Sequence, residues 1–233
     1  TTLGIVIGLS KILYIPLVFL ALLLPKKYFK NNKSYWISIL IILLSSVMAN
    51  LTWLCISSRY LALYRNGASS VQTHYVLTHL IEYAQILLGT IGENFDYYFM
   101  TLIGRDLAWG GLVVVYPIII YVIFLLYLIG CTNENNKIKD LYTKKNLFII
   151  FVILLCIIGL VFTSLFVQWT RPGVFIISGV QGRYFLPLIP LVGLLLIQCN
   201  IKMKKNINFE KVAVTSLGIL YFVIFAQMFV TFI

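Results

Sequence analysis

"LFIIFVILLCIIGLVFTSLFV", residues 147–167, runs through 21 positions without one charged side chain. A helix of that length rises about 30 Å, the thickness of a bilayer's hydrocarbon core. The rest of the chain has the same character. Of its 233 residues, 61% are hydrophobic and only 11% charged, and the mean hydropathy is +0.98. One soluble core of this size cannot hide that much apolar surface. The sequence therefore reads as an all-α integral membrane protein. About six transmembrane helices are expected, over Leu3–Leu24, Tyr35–Ile56, Gly111–Gly130, Leu147–Val167, Tyr184–Cys199 and Val212–Phe232. One or two amphipathic helices are expected on the outer surface between the second and third spans. Residues 1–233 form a single polytopic domain in this reading. The start at Thr1, directly in an apolar run with no basic n-region and no cleavage pattern, leads us to expect an N-terminally truncated part of a longer chain.

Lysine sets the orientation. Lys26, Lys27, Lys30 and Lys33 follow the first span; Lys137, Lys139, Lys144 and Lys145 follow the third; Lys202, Lys204, Lys205 and Lys211 follow the fifth. Twelve of thirteen lysines thus lie on one side, which the positive-inside rule makes cytoplasmic. The net charge of +11 is then a topology signal, and nucleic acid is excluded as a partner. The four cysteines, Cys55, Cys131, Cys156 and Cys199, have neither disulfide nor metal-ligand spacing.

All five arginines (Arg59, Arg65, Arg105, Arg171 and Arg183) fall on the opposite, outer side. Topology does not require arginine over lysine there. What arginine adds is a planar fork that binds phosphate or carboxylate bidentately, so an outward-facing phosphate or acidic-sugar site accounts for the bias. Headgroup contact and snorkelling at helix ends are the simpler account.

The stretch Ser57 to Gly110 is too polar for a span, but Val76, Leu80, Tyr83 and Leu87 recur at helical spacing. Helices are expected here, with a break near Gly89–Gly92. His79, Glu82 and Tyr83 would share a face, and the pair His79 and Glu82 could relay a proton or contribute to a metal site. Two such ligands specify neither, and a solvated polar face is the simpler reading. No cofactor or metal site is identified, and a divalent metal is left open.

Lys11 is the thirteenth lysine. An α-helix from Lys11 to Leu24 rises only about 20 Å, which sets this ammonium roughly 10 Å inside the hydrocarbon edge. It must snorkel or face a polar cavity whose wall Tyr14 and Pro16 would line or kink.

"SGVQGRYFLPLIP", residues 178–190, breaks a second apolar region. The sixteen residues Tyr184–Cys199 make an α-helix of about 24 Å, too short to cross alone. Irregular chain is therefore expected to enter the membrane before a helix starts at Pro187. A helix start offers free N–H groups and positive dipole to an anion. Arg183, Gln181 and the close backbone approach allowed by Gly179 and Gly182 make a candidate phosphate cradle. Lys11, Arg171, Arg59 and Tyr184 are further substrate-binding candidates. The alternative is a loop arginine paired internally with an acid such as Glu82 or Asp96.

"ISGVQGRYFLPLIP" at 177–190, preceded by "QWTRPG", resembles the signature of a large bacterial family of polytopic membrane proteins of unknown function. "LSKILYIPLVFLALLLPKKYF" at 9–29 and "LIGRDLAWGG" at 102–111 are similar to other parts of its pattern. The resemblance implies a relationship to GT-C-type glycosyltransferases, which use polyprenyl-phosphate-linked sugars at the outer face of the bacterial cytoplasmic membrane. It also implies that this chain is the C-terminal part of a longer member. The catalytic acid of such enzymes lies in a first outer loop that the chain does not show, so no catalytic residue is carried over. Lys11, Gln181, Arg183 and Tyr184 transfer only as motif matches.

The function expected on these grounds is cell-envelope glycan assembly with a polyprenyl-phosphate or other lipid-linked saccharide as partner, within the lipid bilayer. A transporter or flippase of such lipids is the alternative. It would call for paired broken helices in two inverted halves, of which the sequence indicates one, near residue 183. A non-enzymatic assembly scaffold is the third possibility.

Overall fold

The computed structural model describes residues 2–58, 66–103, 143–196 and 209–232, and every regular element among them is helical. In chain order these are α1 (Thr2–Ser10), the 3₁₀ helices η1 (Ile12–Leu23) and η2 (Lys26–Tyr28), α2 (Asn32–Ser57), α3 (Asn66–Thr78), α4 (Leu80–Glu93) and α5 (Phe95–Ile103). They continue with α6 (Lys144–Gln168), η3 (Gly182–Leu188), α7 (Ile189–Leu196) and α8 (Phe209–Phe232). Contacts divide the chain into two units, Thr1–Leu87 with Phe148–Gly179, and Leu88–Leu147 with Val180–Ile233.

Among the described residues, α2 and α6 are the two helices long and apolar enough to cross a membrane. Asn31 starts α2 in an extended conformation, its side-chain oxygen accepting from Ser34 N–H at 2.7 Å. Tyr35, Ile39, Ser46 and Asn50 are the buried positions of α2, spaced four, seven and four apart, which is one helical stripe. Leu40, Leu44 and Met48 are exposed, as they must be on a helix whose solvent is hydrocarbon. In α6, Ile150, Ile153, Leu154, Ile157, Val161 and Phe166 form the buried stripe. Against its Phe166 pack the rings of Tyr75 on α3 and Tyr83 on α4.

The expected first span is not one helix. Lys11 takes extended backbone, φ −143° and ψ 135°, which ends α1 at Ser10 and starts a twelve-residue 3₁₀ helix containing Pro16. A 3₁₀ run of that length is unusual. Its rise of about 2.0 Å per residue carries the chain about 26 Å from Lys11 to Leu24, instead of the 20 Å or so expected for an α-helix. The α-helical rise from which a depth of roughly 10 Å was inferred for Lys11 therefore does not apply.

Ending α1 leaves carbonyls without intrahelical partners. Ser10 Oγ donates to Ile7 O at 2.7 Å, and Asn50 Nδ2 on α2 donates to Gly8 O at 2.9 Å in a buried contact. The second bond ties α2 to the break. Asn50→Leu is expected to cost about 1 kcal/mol, the scale of an interhelical hydrogen bond in a membrane, seen as a lower melting temperature of the detergent-solubilised protein.

In the polar stretch after α2 the described residues form three consecutive segments, α3 to α5, which meet at His79 and Asn94 with the helical hydrogen bonds running on through both residues. Gly89 and Gly92, where a break was expected, lie inside α4. Helix continues past His79 because its N–H still bonds Tyr75 O and its carbonyl still accepts from Tyr83 N–H, both at 2.9 Å. A glycine costs a helix about 1 kcal/mol relative to alanine, which does not break one held on both sides. The expected span at Gly111–Gly130 lies outside the described residues. Of Tyr184–Cys199, the described part is not a single α-helix: it is 3₁₀ to Leu188 and α from Ile189 to Leu196. Val212–Phe232 falls within α8.

Candidate functional site

The second unit contains the Gln-Gly-Arg-Tyr segment. Chain from Trp169 to Gln181 forms no helix. Gln181 is extended, φ −134° and ψ 145°, and η3 begins at the next residue. Gly182 seats η3 on α5: its N–H donates to Thr101 Oγ1 at 2.6 Å, buried. A Cβ at this position would collide with the backbone at Tyr98 O and Leu102 N. The glycine is thus required by protein packing, and its amide is already used. Tyr184 N–H donates to Gln181 O at 3.1 Å.

Of the first three amides of η3, that of Arg183 is the one left over, since Gly182 and Tyr184 are bonded. The Arg183 side chain is exposed, and among the described residues neither its guanidinium nor its N–H has a hydrogen-bond or charged partner. Within the described residues of its own unit, Arg183 is not paired with Asp96. Beside it, Gln181 Oε1 is buried and has no hydrogen-bond partner among the described residues. An orphaned buried acceptor is costly, so it favours a donor brought by something else. Tyr184 is half-buried and already engaged within the chain. On α5, burial, followed by the neighbouring Tyr97, pushes the Tyr98 phenol up to about 12 and keeps it neutral.

The remaining candidates belong to the first unit. Arg171 is exposed in a turn whose carbonyl accepts from Val174 N–H at 3.3 Å. The turn is anchored by Thr170, which is 1% exposed. Thr170 Oγ1 donates to Leu165 O at 3.2 Å and accepts from Ser178 N–H at 3.1 Å, while its carbonyl accepts from Gln72 Nε2 of α3 at 3.3 Å. Gly179, at φ 81°, lies so close under the Trp169 indole that a Cβ would come within 2.9 Å of Nε1. This glycine, too, serves the fold of the loop. Sequence reasoning passed over Gln72, Thr170 and Thr101, and polar residues in such apolar surroundings were the signal available.

His79 and Glu82 are both exposed, and each is held by a different neighbour. Tyr75 OH donates to Glu82 Oε2 at 2.9 Å, and the Tyr75 and His79 rings stack with centroids 4.9 Å apart. The Tyr75 phenol is raised above its ordinary value, first by the carboxylate it bonds and then by burial and the charge of Glu82. Thr78 Oγ1 donates to His74 O at 2.8 Å and lies 2.7 Å from His79 Nδ1. Tyr83 does not share this exposed face. It is buried, with its hydroxyl 2.7 Å from Thr163 Oγ1 on α6. Among the described residues no group of three His, Cys, Asp or Glu is placed to hold a metal. Arg59 lies outside the described residues. Pro16 lines an apolar cavity of about 680 Å³ between η1 and α6, as do Phe19 and Gly159, whereas Tyr14 is not part of its wall.

Long apolar helices that turn leucine, isoleucine and phenylalanine outward define an α-helical integral membrane protein. Within that class, residues 2–192 match the sequence model of the family described as predicted membrane protein, DUF2142, and the chain belongs to this family. No curated protein and no solved structure matches it.

Proposed function

We propose that the chain is the membrane domain of a GT-C-like protein of bacterial cell-envelope glycan assembly, and that it binds a polyprenyl-phosphate-linked saccharide at Gln181–Arg183. The observation that carries this reading is the pairing of an exposed, unpartnered guanidinium with a buried, unpartnered acceptor two residues away. Arginine suits the phosphate and Gln181 Oε1 suits a hydroxyl donor, a combination found on a phosphorylated sugar. Because the Gly182 amide is used internally, the proposed cradle is narrower than a full helix start: it is the Arg183 side chain with its own N–H. The same reading places the protein in the cytoplasmic membrane with six spans, lysine-rich loops inside and Arg183 near the outer face.

The test is binding of a polyprenyl phosphate to the wild type, Arg183→Ala and Arg183→Lys. Charged hydrogen bonds are worth about 1.5–3 kcal/mol, so alanine is expected to weaken binding roughly ten- to hundredfold. Lysine should recover only part of that, for lack of the bidentate fork. Unchanged affinity in both variants rules the phosphate site out.

A transporter is favoured by one observation. The break at Lys11 has the same form as the break at Gln181: extended backbone, then a 3₁₀ helix, with Tyr14 N–H bonded to Lys11 O at 2.9 Å as Tyr184 N–H is to Gln181 O. Transfer of a fluorescent lipid-linked saccharide across proteoliposomes would support this second reading.

A further inference from the structure

We infer that the groove between η1 and α6 in the first unit holds one hydrocarbon chain of an anionic membrane lipid, with its head group at the Gln168 end. The inference does not depend on what Arg183 binds, because every residue of the groove belongs to the first unit.

The geometry comes from the 3₁₀ helix. At three residues per turn, side chains three apart stack in a straight row, so Pro16, Phe19 and Leu22 form one continuous wall. The facing wall is the stripe of α6 on which Val152, Cys156, Gly159 and Thr163 succeed one another at helical spacing. Gly159 opens the middle: a Cβ there would meet nothing within 4 Å. Beyond the shared residues Pro16, Leu160 and Thr163 a second space of about 450 Å³ continues to Ser164 and Gln168. From Phe148 to Gln168 the groove follows about 30 Å of helix, the thickness of the hydrocarbon core.

Polarity within the groove is graded. Its Phe148 end is apolar, and the polar lining of Ser164 and Gln168 is confined to the other. Two cations flank that polar end in the chain, Lys11 before the lining residue Ile12 and Arg171 three residues after Gln168, both exposed. At the opposite end Lys144 and Lys145 precede Phe148 in the chain, both exposed, and Lys26 is held over the rings of Tyr35 and Trp36, at 5.5 and 5.9 Å. Cations stand near both ends, but the hydrogen-bonding groups of the lining, Ser164 and Gln168, lie at one, so an apolar channel as long as one bilayer core is complementary to a long-chain lipid whose anionic head sits there beside Lys11 and Arg171.

The experiment uses the full chain in vesicles of equal phosphatidylcholine and phosphatidylglycerol, with a trace of either lipid carrying a photoactivatable acyl chain. Cross-linked peptides are quantified by mass spectrometry. Phosphatidylglycerol is expected to label η1 and the groove face of α6 about fivefold more than phosphatidylcholine. Gly159→Phe fills the groove where space is open, and should cut that labelling about fivefold with no loss of melting temperature. Leu40→Phe, on the lipid-exposed face of α2, should leave it unchanged. Lys11→Gln with Arg171→Gln should remove the anionic preference, and Lys26→Gln with Lys27→Gln should retain it.

Equal labelling in the wild type and Gly159→Phe overturns the groove as a lipid site. Loss of anionic preference only in the Lys26 and Lys27 variant overturns the head-group placement. A photoreactive group on Cys156, with the other cysteines replaced by serine, should capture lipid; capture of residues 111–130 instead shows that the chain's own segment fills the groove, and overturns the proposal.

Discussion

Gly182→Ala is expected to destabilise the second unit by about 3 kcal/mol, an overpacking cost at the upper end of the usual range. The added methyl would overlap Tyr98 O and Leu102 N and lie 2.8 Å from Leu102 Cα, all backbone atoms of α5 that have no rotamer to change. Relief requires η3 to lift from α5. That movement also breaks the buried bond from Gly182 N–H to Thr101 Oγ1 and displaces Arg183. The measurement is thermal unfolding in detergent, with polyprenyl phosphate binding followed alongside. A melting temperature within a degree or so of the wild type would show that η3 does not sit on α5 as described, since about 1 kcal/mol already shifts a chain of this size by 2–4 °C.

Gly8→Leu should have a comparable effect in the first unit, about 3 kcal/mol by the same kind of overpacking. A Cβ on Gly8 would strike Ser46 O and lie 3.0 Å from Ser46 C and 3.1 Å from Ser46 Oγ. Ser46 is 0% exposed, so α2 has no free space into which to yield. Gly4, one turn earlier, is less constrained: its nearest contacts are Ile42 Cγ2 at 3.2 Å and Ile42 O at 3.3 Å. A graded result is therefore expected, with Gly4→Ala mild and Gly8→Leu severe. Equal effects at the two positions would mean that α1 and α2 do not cross closest at Gly8. The Gly4-x-x-x-Gly8 spacing is the small-residue pattern by which membrane helices approach one another.

How much of this was legible beforehand differs by element. The apolar run at 147–167 lies inside α6, Lys144–Gln168, because burying its side chains in hydrocarbon is favourable wherever the helix sits. The Tyr35–Ile56 run lies inside α2 for the same reason. Lys11 was recognised as unusual, but the rise per residue of an α-helix was assumed after it where the backbone is 3₁₀. Gly182 was recognised as a point of close approach, and the partner is α5. His79 and Glu82 do lie near each other in the chain, yet Thr78 and Tyr75 claim their polar atoms first.

From the sequence alone came the solvent of this protein, its helical class and the residues that do not fit that solvent, since these follow from transfer free energies that add along the chain. Only the tertiary structure decided what those residues touch. Gln72 meets Thr170 across 98 positions, Gly182 meets Thr101 across 81 and Asn50 meets Gly8 across 42. Pairings of that kind depend on how helices cross, which no local pattern encodes. The choice of 3₁₀ over α at Ile12–Leu23 also lies beyond local pattern, since it shifts each hydrogen bond by one residue and leaves the apolar composition unchanged. That choice aligns Pro16, Phe19 and Leu22 into the wall of a groove.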